Sequence, residues 1–233
     1  MITKKEIKTI VEQEIGIFLE ALGYRKIKVA ADVIAQYEKQ TNEYNFSFGC
    51  YVNKYDEYKF IYGFGFGVNK VIEILKDIDR KVSLQKTVYT INNSLMSISP
   101  GLLLNPLNIY PAYKYVSTTD ELINITKEVK LFYEQKFTSF CNNYSEIIEI
   151  DKIFNSFENF YTTGWGKFPS LPFFHVTRLV IARLANNPEF EMVVEKNFEA
   201  LESIWKQDGL KYDRFDETKP EVFAAKYLRD LKV

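Results

Sequence analysis

The chain has 233 residues, of which 46% are hydrophobic and 26% are charged. This is ordinary composition for a globular protein and argues against a largely disordered chain. The formal net charge is -1, with 30 Lys and Arg residues against 31 Asp and Glu residues. Because nucleic-acid binding needs a basic surface, we expect no nucleic acid as a partner.

The N-terminal segment is charged throughout, and no stretch approaches the ~20 apolar residues that a membrane helix requires. We therefore expect no secretion signal, no membrane partner and a cytoplasmic location. The two cysteines, Cys50 and Cys141, form no CxxC pair. This spacing favours a reducing compartment, and we predict that both are small buried hydrophobic residues.

Aromatic residues make up 16% of the chain, with 16 Tyr and 19 Phe. Tyr enrichment is typical of protein interfaces. The sequence is, however, rich in Phe, Ile, Asn, Lys and Tyr together, which indicates a coding bias. The bias is the favoured explanation, because an aromatic total does not locate a surface patch.

The first predicted helix begins after Thr3. Thr3 and Glu6 form a T-x-x-E capping box, and Gly23 can end the helix. Apolar residues recur between them at helical spacing, so the helix buries one stripe. The following segment, from Lys26 to Tyr37, is compatible with a kinked strand.

Residues 44–52 alternate between two faces, which predicts a strand. One face carries Tyr44, Phe46, Phe48, Cys50 and Val52, and the other carries Asn45, Ser47, Gly49 and Tyr51.

Residues 60–70, FIYGFGFGVNK, contain three glycines followed by a lysine. A Walker-type phosphate loop requires Gly before the lysine and Ser or Thr after it, but Asn69 and Val71 flank Lys70. The dinucleotide fingerprint also fails, because Val68 or Lys70 occupies its third glycine position. The alternation instead predicts a strand with aromatic residues on one face and glycines on the other.

The two strands predict an antiparallel hairpin with a loop at 53–57. With an odd number of loop residues, Phe48 faces Tyr62 and Phe46 faces Phe64. With an even number, aromatic residues face glycines. In both cases the first helix is expected on the aromatic face. The glycine face admits either close helix packing, which is favoured, or a flat ligand.

A short amphipathic helix is predicted after Val68, and further strands or extended chain between residues 86 and 104. After Tyr115 the sequence becomes helical, beginning with a second capping box at Thr118 and Glu121. Later helices are predicted after Ser145 and at 173–185, 188–208 and 220–233.

Strands before residue 116 and helices after it predict an α+β protein. We expect an antiparallel β-sheet with flanking helices, followed by a helical C-terminal part. The predicted domains are residues 1–157 and residues 158–233, with a single domain as the alternative.

His175 is the only histidine, so any catalytic triad or histidine-containing metal site must use it. On its predicted helix it shares one side with Arg178, away from the apolar stripe, and a neighbouring guanidinium disfavours the imidazolium. The favoured interpretation is an exposed or loop-contacting histidine. The alternative is a ligand contact at the helix N-terminus.

The Gly- and Pro-rich loop 161–172 is the predicted binding element. Trp165, between two glycines, can project from it, and Lys167 can meet an anion at the next helix start. The favoured alternative is that Trp165 fills a gap between the sheet and the helices. The candidate ligand-binding residues are Trp165, Lys167, His175 and Arg178. The carboxylates form no calcium-loop or other metal pattern, so no metal or cofactor is predicted.

The sequence also resembles a bacterial family, the domain-of-unknown-function family 4304, over about residues 3–156. The resemblance rests on FLEALGYRK (18–26), FSFGCYV (46–52), and STTDELINITKEVKLFYEQKF (117–137) followed by SEIIEIDKIF (145–154). It implies a compact sheet with helices packed on it. It implies no established activity, and no catalytic residue is carried over.

These observations favour a non-catalytic, protein-binding module of the immunity or accessory type. The alternative is a small-molecule sensor or enzyme with a pocket between the glycine-rich strand and the Trp165 loop. The first hypothesis predicts an exposed aromatic or acidic patch. The second predicts polar groups converging around His175, Arg178 and Lys167.

Overall fold

The computed structural model describes residues 1–29, 33–54, 56–82, 112–155, 171–207, 209 and 211–232. It confirms the α+β class, with a five-stranded antiparallel sheet, flanking helices and a helical C-terminal region. The chain divides into two compact units. The first comprises Met1–Asn69 and Asn92–Asn143, and the second comprises Lys70–Ile91 and Tyr144–Val233. The predicted boundary at 157–158 lies outside the described residues.

The first unit begins with α1 (Lys4–Val11), a π-helical turn (Glu12–Gly16) and α2 (Ile17–Ala21). The predicted capping box is present: the Glu6 N–H donates to Thr3 Oγ1 at 3.2 Å, and the Thr3 N–H donates to the Glu6 carboxylate at 2.7 Å. Gly23 follows α2 with φ +85°, the left-handed conformation that ends helices. The sequence therefore predicts both ends of this helical region correctly.

The sheet is a meander of five strands, paired in chain order. They are β1 (Arg25–Lys26), β2 (Val33–Gln40), β3 (Tyr44–Lys54), β4 (Tyr58–Val68) and β5 (Ala112–Val116). The glycine-rich segment lies in β4, so the strand prediction is confirmed. The kink expected before Tyr37 is a register shift between Val33 and Ala35. The strands predicted within 86–104 lie outside the described residues.

In the β3–β4 hairpin Lys54 pairs with Tyr58, which leaves three residues, an odd number, between the strands, so aromatic residues face aromatic residues. The predicted pairs are nevertheless wrong by two positions. Phe48 pairs with Phe64, not Tyr62, and Phe46 pairs with Phe66. The difference arises because the strands continue to Lys54 and Tyr58, which makes the loop two residues shorter than predicted.

The aromatic face of the sheet is the core of the first unit. A row of rings crosses three strands, with centroids 6.5 Å apart for Tyr37 and Phe48 and 4.9 Å apart for Phe48 and Phe64. The first helical region packs on β2 at one end of this row. The second capped helical region supplies Phe137, whose ring stacks on Phe64 with a centroid distance of 5.0 Å. The aromatic face therefore holds the first helix, as expected, and also a second one.

That second region comprises α4 (Thr119–Phe132), a π-helical turn (Tyr133–Phe137) and α5 (Thr138–Asn143). Its predicted capping box is also present, with Glu121 N–H donating to Thr118 Oγ1 at 3.3 Å. The helix predicted after Val68 is α3 (Asn69–Val82), which belongs to the second unit from Lys70 onward.

The second unit continues with α6 (Ile147–Asn155), α7 (Leu171–Leu184), α8 (Phe190–Gln207) and α9 (Pro220–Asp230). Helix α7 packs against α6, α8 and α9. From His175 onward it is buried on nearly every side, including Val176, Leu179 and Val180. A helix that is buried all round lies at the centre of its unit.

Both cysteines are free. Cys50 is buried as predicted, whereas Cys141 is only half-buried, which corrects that prediction. Burial raises the pKa of each thiol to about 12, so both are protonated at neutral pH.

Candidate functional site

The side of the sheet opposite the aromatic core carries an exposed surface on β3, β4 and β5. Strand pairing places Tyr51 opposite Ile61, and Lys59 between Asn53 and Tyr115. Residues that are paired or two apart on a strand lie on one face. We call this surface the outer face; it comprises Gly49, Tyr51, Asn53, Lys59, Ile61, Gly63 and Tyr115.

Two tyrosines of the outer face are well exposed. Tyr51 exposes 44% of its surface and Tyr115 exposes 56%, whereas Lys59 and Ile61 are half-buried. β4 separates Tyr51 from Tyr115, and adjacent strands lie about 4.8 Å apart, so the two backbones are about 10 Å apart. Together they form an aromatic surface around one lysine.

Bare backbone borders the tyrosines. Gly49 pairs directly with Gly63, and neither glycine contributes a side chain. Within the part of the chain that the structure describes, an ideal Cβ built on Gly49 would meet no heavy atom within 4 Å, so the space directly above this residue is open. On the same side of β4, Gly65 and Gly67 are buried. The open part of the outer face therefore begins at Gly49 and extends toward Tyr51.

His175, a predicted ligand residue, is buried rather than exposed, with 4% of its surface accessible. Its Nδ1 lies 2.6 Å from Asn197 Oδ1, and Asn197 Nδ2 donates to the Val193 carbonyl oxygen at 3.1 Å. Because a carbonyl oxygen only accepts, Nδ1 carries the proton. The expectation of an exposed histidine is wrong because α8 covers that side of α7.

The protonation of His175 follows from this environment. Burial lowers its pKa to about 4, the Asn197 hydrogen bond opposes that change, and the Arg178 charge adds to it. The predicted effect of the guanidinium is therefore confirmed in direction, although burial is the larger cause. The imidazole is neutral at physiological pH.

Arg178 is also buried, with 3% exposed, and joins α7 to α6. Its guanidinium donates to the Phe154 carbonyl oxygen and, at 3.3 Å, to Asn155 Oδ1. Asn155 Nδ2 donates to Asp151 Oδ1 at 2.7 Å, and Asn187 Nδ2 donates to Asp151 Oδ2 at 2.7 Å. The network holds two helices and the loop before α8 together.

Asp151 is the carboxylate of this network. Burial raises its pKa, and the two asparagine hydrogen bonds and the Arg178 charge oppose that change. A buried carboxylate with several donors and a nearby cation can stay ionised. The described contacts of His175 and Arg178 are thus contacts that hold helices together.

The four predicted ligand residues are not all described. His175 and Arg178 lie on one buried helix, whereas Trp165 and Lys167 lie outside the described residues. Within the described part of the chain, no group of three His, Cys, Asp or Glu residues is arranged to hold a metal ion. Across the same residues, no helix is both long and apolar enough to cross a membrane.

Comparisons with protein families, with curated proteins and with solved structures found no match to this chain. The resemblance to family 4304 therefore stays a prediction.

Sequence reasoning placed the alternative pocket against the glycine-rich strand, but it did not select Tyr51 or Tyr115 as site residues. The alternation had placed Tyr51 on one face with Asn45, Ser47 and Gly49, and this arrangement is confirmed. The sequence did not predict the position of Tyr115. That position depends on the pairing of β5 with β4, and more than 40 residues of sequence separate these two strands. An exposed tyrosine on a glycine-lined strand face was the available signal.

Proposed function

We propose that this protein is a non-catalytic module that binds another protein through the outer face. One observation carries the proposal: Gly49, where no atom of the described residues lies within 4 Å of a Cβ position, lies beside the exposed side chain of Tyr51 and on the same face as the exposed Tyr115. A partner could approach the sheet closely at Gly49 and pack against the tyrosines.

The chemistry of the outer face suits protein recognition. Tyrosine offers a large, rigid contact area together with a hydroxyl group, and it is enriched at interfaces. Lys59 and Asn53 add polar groups that can form a rim around the rings. Removal of ring surface from water drives binding at such a patch, and the polar groups set its orientation.

The contacts of His175 argue against the alternative of a ligand pocket and thereby support the proposal of a protein-binding module. Its Nδ1 proton is held by Asn197 inside the second unit, and its pKa of about 4 is far below that of a general base near neutral pH. The pocket alternative expects this imidazole to contact a ligand, and His175→Ala to abolish binding.

Native mass spectrometry of the tagged chain, purified gently from its own host, tests the proposal. We expect a stoichiometric protein to accompany the wild-type chain. A retained small molecule, lost in His175→Ala, would favour the pocket alternative instead.

Matched surface variants locate the interface. Tyr51→Ala and Tyr115→Ala should each release the bound protein, because each removes an exposed ring from the outer face. Phe215→Ala is the control, since Phe215 is 89% exposed and lies in the second unit. If all three variants retain the partner equally, the outer face is not the interface.

A further inference from the structure

Two aromatic rings of the second unit enclose a positive charge. Trp205, in α8, and Tyr212, in the segment after it, have ring centroids 5.6 Å apart and planes at 76°. The Lys219 Nζ lies 4.4 Å from the Trp205 centroid and 4.2 Å from the Tyr212 centroid. We call these two rings the aromatic cage.

The charges around the aromatic cage favour a cation. Glu221, two residues beyond Lys219, is 97% buried, and burial raises its pKa while the Lys219 charge lowers it. The Lys219 charge also helps to lower the pKa of Asp216. Without a cation in the cage, the buried Glu221 carboxylate would lose a stabilising charge.

The Tyr212 hydroxyl is a second, independent feature. Tyr212 is 95% buried, and among the described residues its hydroxyl has no hydrogen-bond partner. Burial, followed by the charges of Glu221, Asp216 and Glu202, raises its pKa, so it stays protonated. A buried hydroxyl without a partner is costly, and a ligand that carries an acceptor atom beside its cationic group could satisfy it.

The Lys219 side chain can leave without disturbing the start of α9. Lys219 is the N-cap residue, but its side chain makes no capping hydrogen bond. Its backbone N–H donates to the Asp216 carbonyl oxygen at 2.9 Å, and its carbonyl accepts from the Phe223 N–H at 3.0 Å. Lys219 and Trp205 are both half-buried, so the cage borders solvent.

We propose that the aromatic cage is a binding site for methylated ammonium groups, and that Lys219 occupies it when no ligand is bound. Two ring faces attract any cation through their quadrupoles, and such cages recognise quaternary ammonium groups. A primary ammonium is strongly hydrated. A methylated ammonium loses less hydration on entering the cage, and it can therefore displace the lysine.

Calorimetric titration with tetramethylammonium chloride tests the proposal, with potassium chloride as the salt control. In Lys219→Met the cage has no internal cation, and we expect binding about tenfold tighter than in the wild type. Lys219→Arg keeps the positive charge, so its affinity for tetramethylammonium should not exceed that of the wild type. In the double variant Lys219→Met/Trp205→Ala, the increase in affinity for tetramethylammonium should be lost, because one ring of the cage is missing.

The proposal would be overturned if the wild type and Lys219→Met bound tetramethylammonium with equal affinity. It would also be overturned if the higher affinity of Lys219→Met persisted after Trp205→Ala was added. If Lys219→Met does not fold, NMR of the wild-type chain gives the answer. The Lys219 side-chain resonances, shifted upfield by the two rings, should move toward solvent values as tetramethylammonium is added. Resonances that stay in place would reject displacement.

Discussion

The Tyr37 hydroxyl lies where a side chain on Gly16 would be. An ideal Cβ at Gly16 would overlap Tyr37 Oη and lie 3.1 Å from Tyr37 Cζ. Gly16 ends the first π-helical turn, and Tyr37 is 1% exposed and packs on Phe48. Tyr37 therefore cannot easily move aside, and the glycine is what lets the first helical region sit on β2.

Gly16→Ala should accordingly destabilise the protein. Overpacking of a well-packed core costs about 1–3 kcal/mol in the free energy of unfolding. Urea denaturation of the wild type and the variant measures this difference. Gly49→Ala is the control, because a Cβ there meets no atom of the described chain within 4 Å. Since Gly inside a strand costs roughly 0.5–1 kcal/mol relative to Ala, that variant should be equal to or more stable than the wild type. If Gly16→Ala and Gly49→Ala have equal free energies of unfolding, Tyr37 does not restrict the side chain at position 16.

Phe64 should be the most sensitive ring of the sheet. Its centroid lies 4.9 Å from Phe48, 5.0 Å from Phe137 and 5.3 Å from Tyr133. Truncation of such a buried ring costs about 3–5 kcal/mol, and we expect this loss for Phe64→Ala.

The matched control for Phe64 is Ile61→Ala, on the opposite face of the same strand. Ile61 is half-buried, so its truncation should cost clearly less. Thermal denaturation followed by circular dichroism compares the two variants. Equal losses would mean that the aromatic face is not the core of the first unit.

Much of this fold follows from local sequence patterns. Capping boxes at Thr3 and Thr118 predict helix starts, and period-two alternation predicts β3 and β4, because these signals act within a few residues. The pairing of Phe48 with Phe64 was missed because register depends on where the loop ends. The contact of Gly16 with Tyr37 was beyond prediction, since it joins a π-helical turn to a strand across 20 residues.

The pKa of His175 predicts a loss of stability in mild acid. The folded protein holds the imidazole neutral with a pKa of about 4, against 6.5 as the ordinary value. Between these values the unfolded chain binds the proton and the folded chain does not, so stability falls as pH decreases from 6.5 toward 4. The contribution amounts to about 3 kcal/mol over this interval.

The comparison with His175→Gln isolates this contribution. Gln keeps an N–H donor for Asn197 but does not titrate. Asp151 and Glu221, whose pKa values burial raises, act in the opposite direction and are present in both proteins. Urea denaturation at pH 7, 6 and 5 should show the wild type losing stability relative to the variant. If the free energies of unfolding of the wild type and the variant changed equally with pH, the burial of a neutral His175 would be contradicted.

Arg178 and Asp151 should be energetically coupled. Removing one member of a buried charged network leaves the other uncompensated, so Arg178→Met should cost about 3–5 kcal/mol. In Asp151→Asn/Arg178→Met neither charge remains. The double variant should therefore lose less than the sum of the two single losses, and a double-mutant cycle measures the difference. Additive losses would show that the two charges do not interact through this network.

The candidate site was less predictable than the fold. His175 and Arg178 were expected together on one side of a helix, but a single helix sequence does not reveal that three other helices surround it and that the two side chains contact different ones. Lone polar residues in an apolar helix looked like surface positions, whereas here they bind Asn197 and Asn155. The two exposed tyrosines of the outer face were not predicted to be neighbours, because they come from strands that are far apart in sequence.

The central claim is that a partner protein approaches the open backbone at Gly49. The most direct test is the affinity of the purified partner for Gly49→Val, measured by calorimetry beside the wild type. The valine Cβ meets no atom of the described residues within 4 Å, and a β-branched residue favours a strand, so the variant should fold with at least wild-type stability. We predict that its affinity falls about tenfold or more, because the partner can no longer reach the backbone. An unchanged affinity would contradict binding through the outer face.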